Sequence, residues 1–124
     1  MLNNEASAAI AINLLAPISA ANTAAATGAW TDLNLVPLEG YVLFLLNIGA
    51  LTGSIAAVIQ DADDNVGTNL ATVSNGTFGA SVANTPQKAV VLRTAMRRWV
   101  RVLGTVVTGP VVLSATALCR AKSF

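Results

Sequence analysis

The sequence predicts an all-β protein, an antiparallel β-sandwich or jelly roll of seven to nine short strands. Three observations carry that expectation. Apolar runs of strand length recur along the chain, turn-forming residues separate them about every ten positions, and no segment carries a convincing apolar stripe at helical spacing.

Residues 1–9 have little to bury and are expected as an N-terminal arm ahead of a single domain over residues 10–124. In the first strand, Ile10, Ile12 and Leu14 alternate with Ala11 and Asn13, and Pro17 ends the run or sits at a sheet edge. A helix over residues 4–16 competes, because alanine favours helices. Residues 19–29 are small and polar, fitting a loop or a weak strand. Residues 41–48 (YVLFLLNI) are almost continuously apolar and predict a strand buried on both faces. Residues 54–60 (SIAAVIQ) follow, and DADDNVG makes a polar turn. Within residues 67–80, Asn75-Gly76 is a hairpin signal. Residues 88–94, 97–107 and 111–119 are three further strands, the last two separated by a turn at Gly109-Pro110. Neither a tandem repeat nor a Gly/Ser- or Pro-rich linker divides the chain.

The 124 residues suit one domain. They are 54% hydrophobic and only 10% charged, where ordinary soluble domains carry about 25% charge. A surface so short of charge implies a partner that covers part of it. Twenty-three alanines and six aromatics keep the burial per residue modest. This is the composition of an assembly subunit.

The net charge of +1 hides an asymmetry. All six acids lie in the first 64 residues, and all seven basic residues come after residue 87. Either the halves interleave and neutralise each other, or they form complementary patches between neighbouring subunits.

Few residues could carry chemistry. Histidine is absent, which removes the commonest general base and metal ligand. The lone Cys119 excludes an intramolecular disulfide, has no base nearby in sequence, and reads as a small buried apolar residue. No spacing motif supports a Ser–Lys pair, and P-loop, dinucleotide and zinc-type patterns are missing. An enzyme is not expected, and neither is a cofactor. In the acidic turn, Asp61, Asp63 and Asn65 imitate the start of a calcium loop, but Val66 and Thr72 stand where that loop needs glycine and glutamate. A solvated turn is the plainer reading. In the run Arg97-Arg98-Trp99-Val100-Arg101, a strand puts Arg97, Trp99 and Arg101 on one face. The cluster suits a protein interface, a single-stranded nucleic acid, or arginine stems packed over Trp99. Near-neutral charge argues against nucleic acid.

Residues 6–31 and 40–60 carry no charged side chain. The first lacks the basic start of a signal peptide, its only early charge being Glu5. The second is long enough to span a bilayer, but it divides around Gly49–Gly53 and has no basic flank. No membrane is expected.

Taken in order, GYVLFLLNIGALTG leading into SIAAVIQDADDN, then VVLRTAMRRWVRVLGTVV and the closing VVLSATALC, resemble short structural proteins of tailed bacteriophages that decorate or cement the capsid. The resemblance spans about residues 10–119 and is most specific in LLNIGALTG–IQDADD and LR…RRWVR. It implies a virion structural protein on the outer capsid surface, assembled in the host cytoplasm. Such a subunit bridges copies of the major capsid protein as a homo-oligomer, a dimer or a trimer. No functional residue of the family carries over, and the acidic turn departs from the commoner form by lacking an immediate Asp-Gly. The expected contacts are the N-terminal arm with Arg97, Arg98, Trp99 and Arg101. One rival is a carbohydrate-binding β-sandwich of a head or tail fibre, using Trp30, Tyr41 or Trp99 as a sugar platform. A small membrane protein is the other.

Overall fold

The structure, a computed structural model, describes residues 9–20, 25–34, 36, 38, 40–79 and 81–120. Strands β1 (Ala9–Ala20), β2 (Ala25–Thr27), β3 (Thr31–Asp32), β4 (Tyr41–Leu51), β5 (Ser54–Ala62), β6 (Ala71–Thr77), β7 (Pro86–Leu92), β8 (Trp99–Thr108) and β9 (Val111–Arg120) make up about two thirds of them. A single 3₁₀ turn, Arg93–Ala95, interrupts the series among the described residues.

Alternation decides how each strand lies. In β4, Val42, Phe44, Leu46 and Ile48 are buried while Tyr41 and Asn47 face outward. In β9, Val111, Leu113, Ala115, Ala117 and Cys119 point in. In β8, Val100, Val102 and Val106 do the same. These side chains meet those of Ile55, Ala57 and Ile59 from β5 in one core between two sheets.

One sheet has the order β1-β9-β4-β7, and the other β2-β8-β5-β6, with β3 also paired to β8. Every pairing is antiparallel, and four nest one inside the next, while β4 with β9 and β5 with β8 join neighbouring nested pairs. Ala9 lies opposite Arg120, Ala25 opposite Thr105, Tyr41 opposite Leu92, and Asp61 opposite Ala71. With β2 and β3 taken as one interrupted strand, this is the jelly-roll order. The chain is folded like a ribbon doubled back on itself, so its acidic half faces its basic half throughout.

Several expectations change. The strand in residues 10–14 prevails over the helix and extends to Ala20. Pro17 falls on a sheet edge, in the stretch between Leu15 and Ile18 where register with β9 shifts. The small polar stretch contributes the three-residue β2. The hairpin at Asn75-Gly76 does not form. Asn75 does adopt the left-handed backbone, with φ of 63°. Yet Thr77 resumes pairing with β5, opposite Val58, so the dipeptide makes a bulge within β6. The reversal comes earlier, in the acidic turn. Arg97 and Arg98 lie before β8 rather than in it, in the bend that follows the 3₁₀ turn. Residues 40–60 divide between β4 and β5 in different sheets, and no helix among the described residues is long and apolar enough to cross a membrane. The expected arm lies outside the described residues except for Ala9.

The largest departure is in β4, which is buried on one face only. Leu43 and Leu45 are half-buried and Tyr41 is 63% exposed.

Candidate functional site

The arginine run and the acidic turn, far apart in sequence, meet at one end of the β2-β8-β5-β6 sheet. β8 brings them together by pairing Trp99 with Ala62 and Val100 with Asp61. Asp61 continues the inward series of β5, but at the mouth of the sandwich, and its side chain is only 9% exposed. Arg97 closes that mouth. Its main-chain N–H donates to Asp61 Oδ2 at 2.9 Å, and its Nη2 donates to Asp61 Oδ1 at 3.0 Å and to the Asn69 carbonyl at 2.7 Å. Its Nη1 reaches Asp63 Oδ1 at 2.8 Å, while Asn69 Nδ2 donates to the other oxygen of Asp63. Hydrogen bonding to Asp61 and Asp63 raises the Arg97 pKa further above its ordinary value.

The turn itself is organised by Asp64. Its Oδ1 accepts from the N–H groups of Val66 and Thr68, and its Oδ2 accepts from the Thr68 hydroxyl. These bonds, led by Thr68, lower the Asp64 pKa, and those from Asn69 and Arg97 lower that of Asp63. Gly67 takes a φ of +85°, and a Cβ there would come within 3.1 Å of the Trp30 ring. Over Trp30 lies the Arg101 guanidinium, 4.5 Å from a ring centroid, with its Nε donating to Gln60 Oε1 at 3.0 Å.

Arg98 turns the other way. It makes a two-pronged contact with Asp32, Nε to Oδ1 at 2.7 Å and Nη2 to Oδ2 at 2.8 Å, and lies 5.5 Å over Trp99. This fork holds the Asp32 carboxyl below its ordinary pKa. Behind it, Arg93 is buried, donates through Nη1 to the Met96 carbonyl, and has its pKa lowered by desolvation.

The four arginine-run positions therefore do come together, but each guanidinium already has a carboxylate, amide or aromatic partner within the chain. All three ion pairs among the described residues join an early acid to a late arginine. Asp61 and Asp63 converge on a guanidinium, and Asn65 is exposed on the turn. No group of three or more His, Cys, Asp and Glu side chains among the described residues is placed to hold a metal ion. Asp32, Gln60, Asn69 and the pairing of Trp30 with Arg101 were not legible as motifs. The division of charge between the halves pointed to Asp32 as a partner for a late arginine, and nothing pointed to Gln60 or Asn69.

A second surface lies on the outer face of the β1-β9-β4-β7 sheet. Leu118, Leu43 and Val90 form a row across three strands, and Tyr41 lies opposite Leu92 beside it. Val90 and Leu92 are each 46% exposed, and Lys88 is the charge among them.

No protein-family model matches the chain, and neither a curated protein nor a solved structure matches it.

Proposed function

We propose that the chain is a virion structural protein that decorates or cements a bacteriophage capsid by bridging major capsid protein subunits. The sequence resemblance supplies the shell. The observation that supports a contact role is the outer face of β4: a strand apolar enough for burial on both sides is covered on one. Monomers rarely leave a contiguous apolar patch larger than a few hundred Å² to water. A neighbour seated on Tyr41, Leu43, Val90 and Leu92 removes that surface from solvent, and repetition over a symmetric shell turns weak contacts into avidity. The arginine cluster serves this role indirectly by fixing the end of the sandwich, while Arg98 and Trp99 present the other outward contact.

Binding of the purified chain to capsids stripped of it tests the reading. Tyr41→Asp, at an exposed position, is expected to weaken binding by about tenfold or more. Unchanged binding by Tyr41→Asp, with loss in Arg98→Ala and Trp99→Ala, would move the contact to the arginine end. Failure of the wild-type chain to bind any capsid component would reject the capsid role.

Carbohydrate binding is favoured by one observation, the exposed ring of Tyr41 on a jelly-roll face. Trp30 and Trp99 have arginines over their rings. Selective retention on a glycan array, lost in Tyr41→Ala, would favour it.

A further inference from the structure

The bulge in β6 needs two residue types, each for its own reason. Thr72 lies opposite Gln60 and Thr77 opposite Val58, so four residues of β6, Val73 to Gly76, stand against Ile59 alone. The excess is taken up where the main chain turns through Asn75, whose φ of 63° is a region that asparagine tolerates better than most side chains. The next residue packs inward. A Cβ on Gly76 would lie 3.1 Å from the Ile59 Cβ and 3.1 Å from the Val73 carbonyl oxygen. Glycine lets the main chain come this close to β5 without displacing it. Asn75 itself is exposed, on a rim strand with no strand paired to its far side. Of the ten asparagines in the chain, it is the one that glycine follows.

We propose that Asn75-Gly76 is a site of spontaneous covalent modification in the folded protein, where the asparagine closes on the main chain, loses ammonia and becomes aspartate or isoaspartate. The Gly76 nitrogen attacks Cγ of the Asn75 side chain. A bond forms between them, the bond from Cγ to Nδ2 breaks, and Nδ2 leaves as ammonia with the proton that Gly76 gives up. Glycine favours the attack because no Cβ crowds its nitrogen. Water then opens the five-membered imide. Cleavage at Cγ restores the main chain with an aspartate, and cleavage at the main-chain carbonyl reroutes the chain through Cγ as isoaspartate. Water is the one co-reactant, and nothing is oxidised or reduced. The folded chain accommodates the step because this peptide lies outside the β5 ladder. That ladder resumes at Thr77, and the Phe78 N–H donates to the Ala57 carbonyl at 3.0 Å. Aspartate also tolerates the left-handed backbone. β6 otherwise carries no charged residue, so each conversion places a first negative charge on that rim. The lability is built into the fold, since the bulge selects both members of the pair that cyclises.

Peptide mapping by mass spectrometry of the purified folded chain, held for weeks at neutral and mildly alkaline pH, tests it. The expected result is first-order loss of the Asn75 amide, faster at the higher pH because the attacking nitrogen must shed its proton. The products are expected to elute as acidic variants on ion exchange and to include a species labelled by isoaspartyl methyltransferase. Asn69 and Asn84 share the left-handed backbone but precede Leu70 and Thr85, and are expected to keep their amides. Asn75→Asp is expected to retain the wild-type circular-dichroism spectrum. Gly76→Ala is expected to slow the conversion, but it also crowds Ile59, so the wild-type map decides. An Asn75 amide that persists in buffer while the chain in denaturant converts overturns the proposal, because the bulge then protects the site. Equal conversion at Asn69 and Asn84 overturns it too, as does a loss of the folded spectrum in Asn75→Asp.

Discussion

Arg97 binds the acidic turn, the end of β5 and the start of β8 with one side chain. Its removal leaves Asp61, nearly buried, without its counter-charge, and an uncompensated buried carboxylate is more costly than a lost surface pair. Arg97→Ala is therefore expected to lower the thermal midpoint by more than Arg98→Ala, whose Asp32 partner is a third exposed; thermal denaturation of both variants checks the order. The acids set the pH response. Asp32, Asp63 and Asp64 all have folded-state pKa values below the ordinary 3.8. Their contribution is fully present above that value and is lost as pH falls through the lower folded values, because the unfolded chain then binds more protons. Stability is expected to stay level from neutral pH to about 4 and to drop below it. The drop should be shallower in Asp32→Asn, as acid titration followed by circular dichroism will report. The site was half legible at this scale. The arginine run and acidic turn stand out as motifs, but their partnership depends on a cross-strand register that no local pattern contains.

Strand identity was legible wherever apolar and polar residues alternate or where an apolar run is bounded by turn residues, as in β4, β5, β8 and β9. Asn75-Gly76 misled because a left-handed asparagine serves a bulge as readily as a hairpin, and the choice belongs to β5, which offers Val58 to Thr77. Pro17 was legible in part: its missing N–H fits an edge, and β1 is one. A close approach between elements gives a sharper test. At Gly28 an added Cβ would lie 2.1 Å from the Leu14 carbonyl oxygen, where the link between β2 and β3 crosses β1. Gly28→Ala must push these segments apart, with an expected loss of about 1–3 kcal/mol or more in denaturant unfolding. In the core, Phe44 is fully buried, and Phe44→Ala is expected to cost about 3–5 kcal/mol by the same measurement.

For the whole molecule, nested pairing explains the division of charge. A ribbon doubled on itself brings early acids against late arginines, so the described ion pairs lie within one copy. Nested pairing is also why fold class was readable while partner surfaces were not: each strand announces itself locally, but the sheet that leaves a face uncovered is known only after every strand is placed. The excess apolar character of β4 was the one trace of that face in the sequence, read there as burial within the chain. The central functional claim is that this face meets a neighbouring protein on a capsid. Electron cryo-microscopy of tailed-bacteriophage particles assembled in cells that express the chain tests it most directly. The account predicts the sandwich on the outer capsid surface, with Tyr41, Leu43 and Val90 buried against an adjoining subunit. Particles without the chain, or with it present and that face open to solvent, would contradict the account.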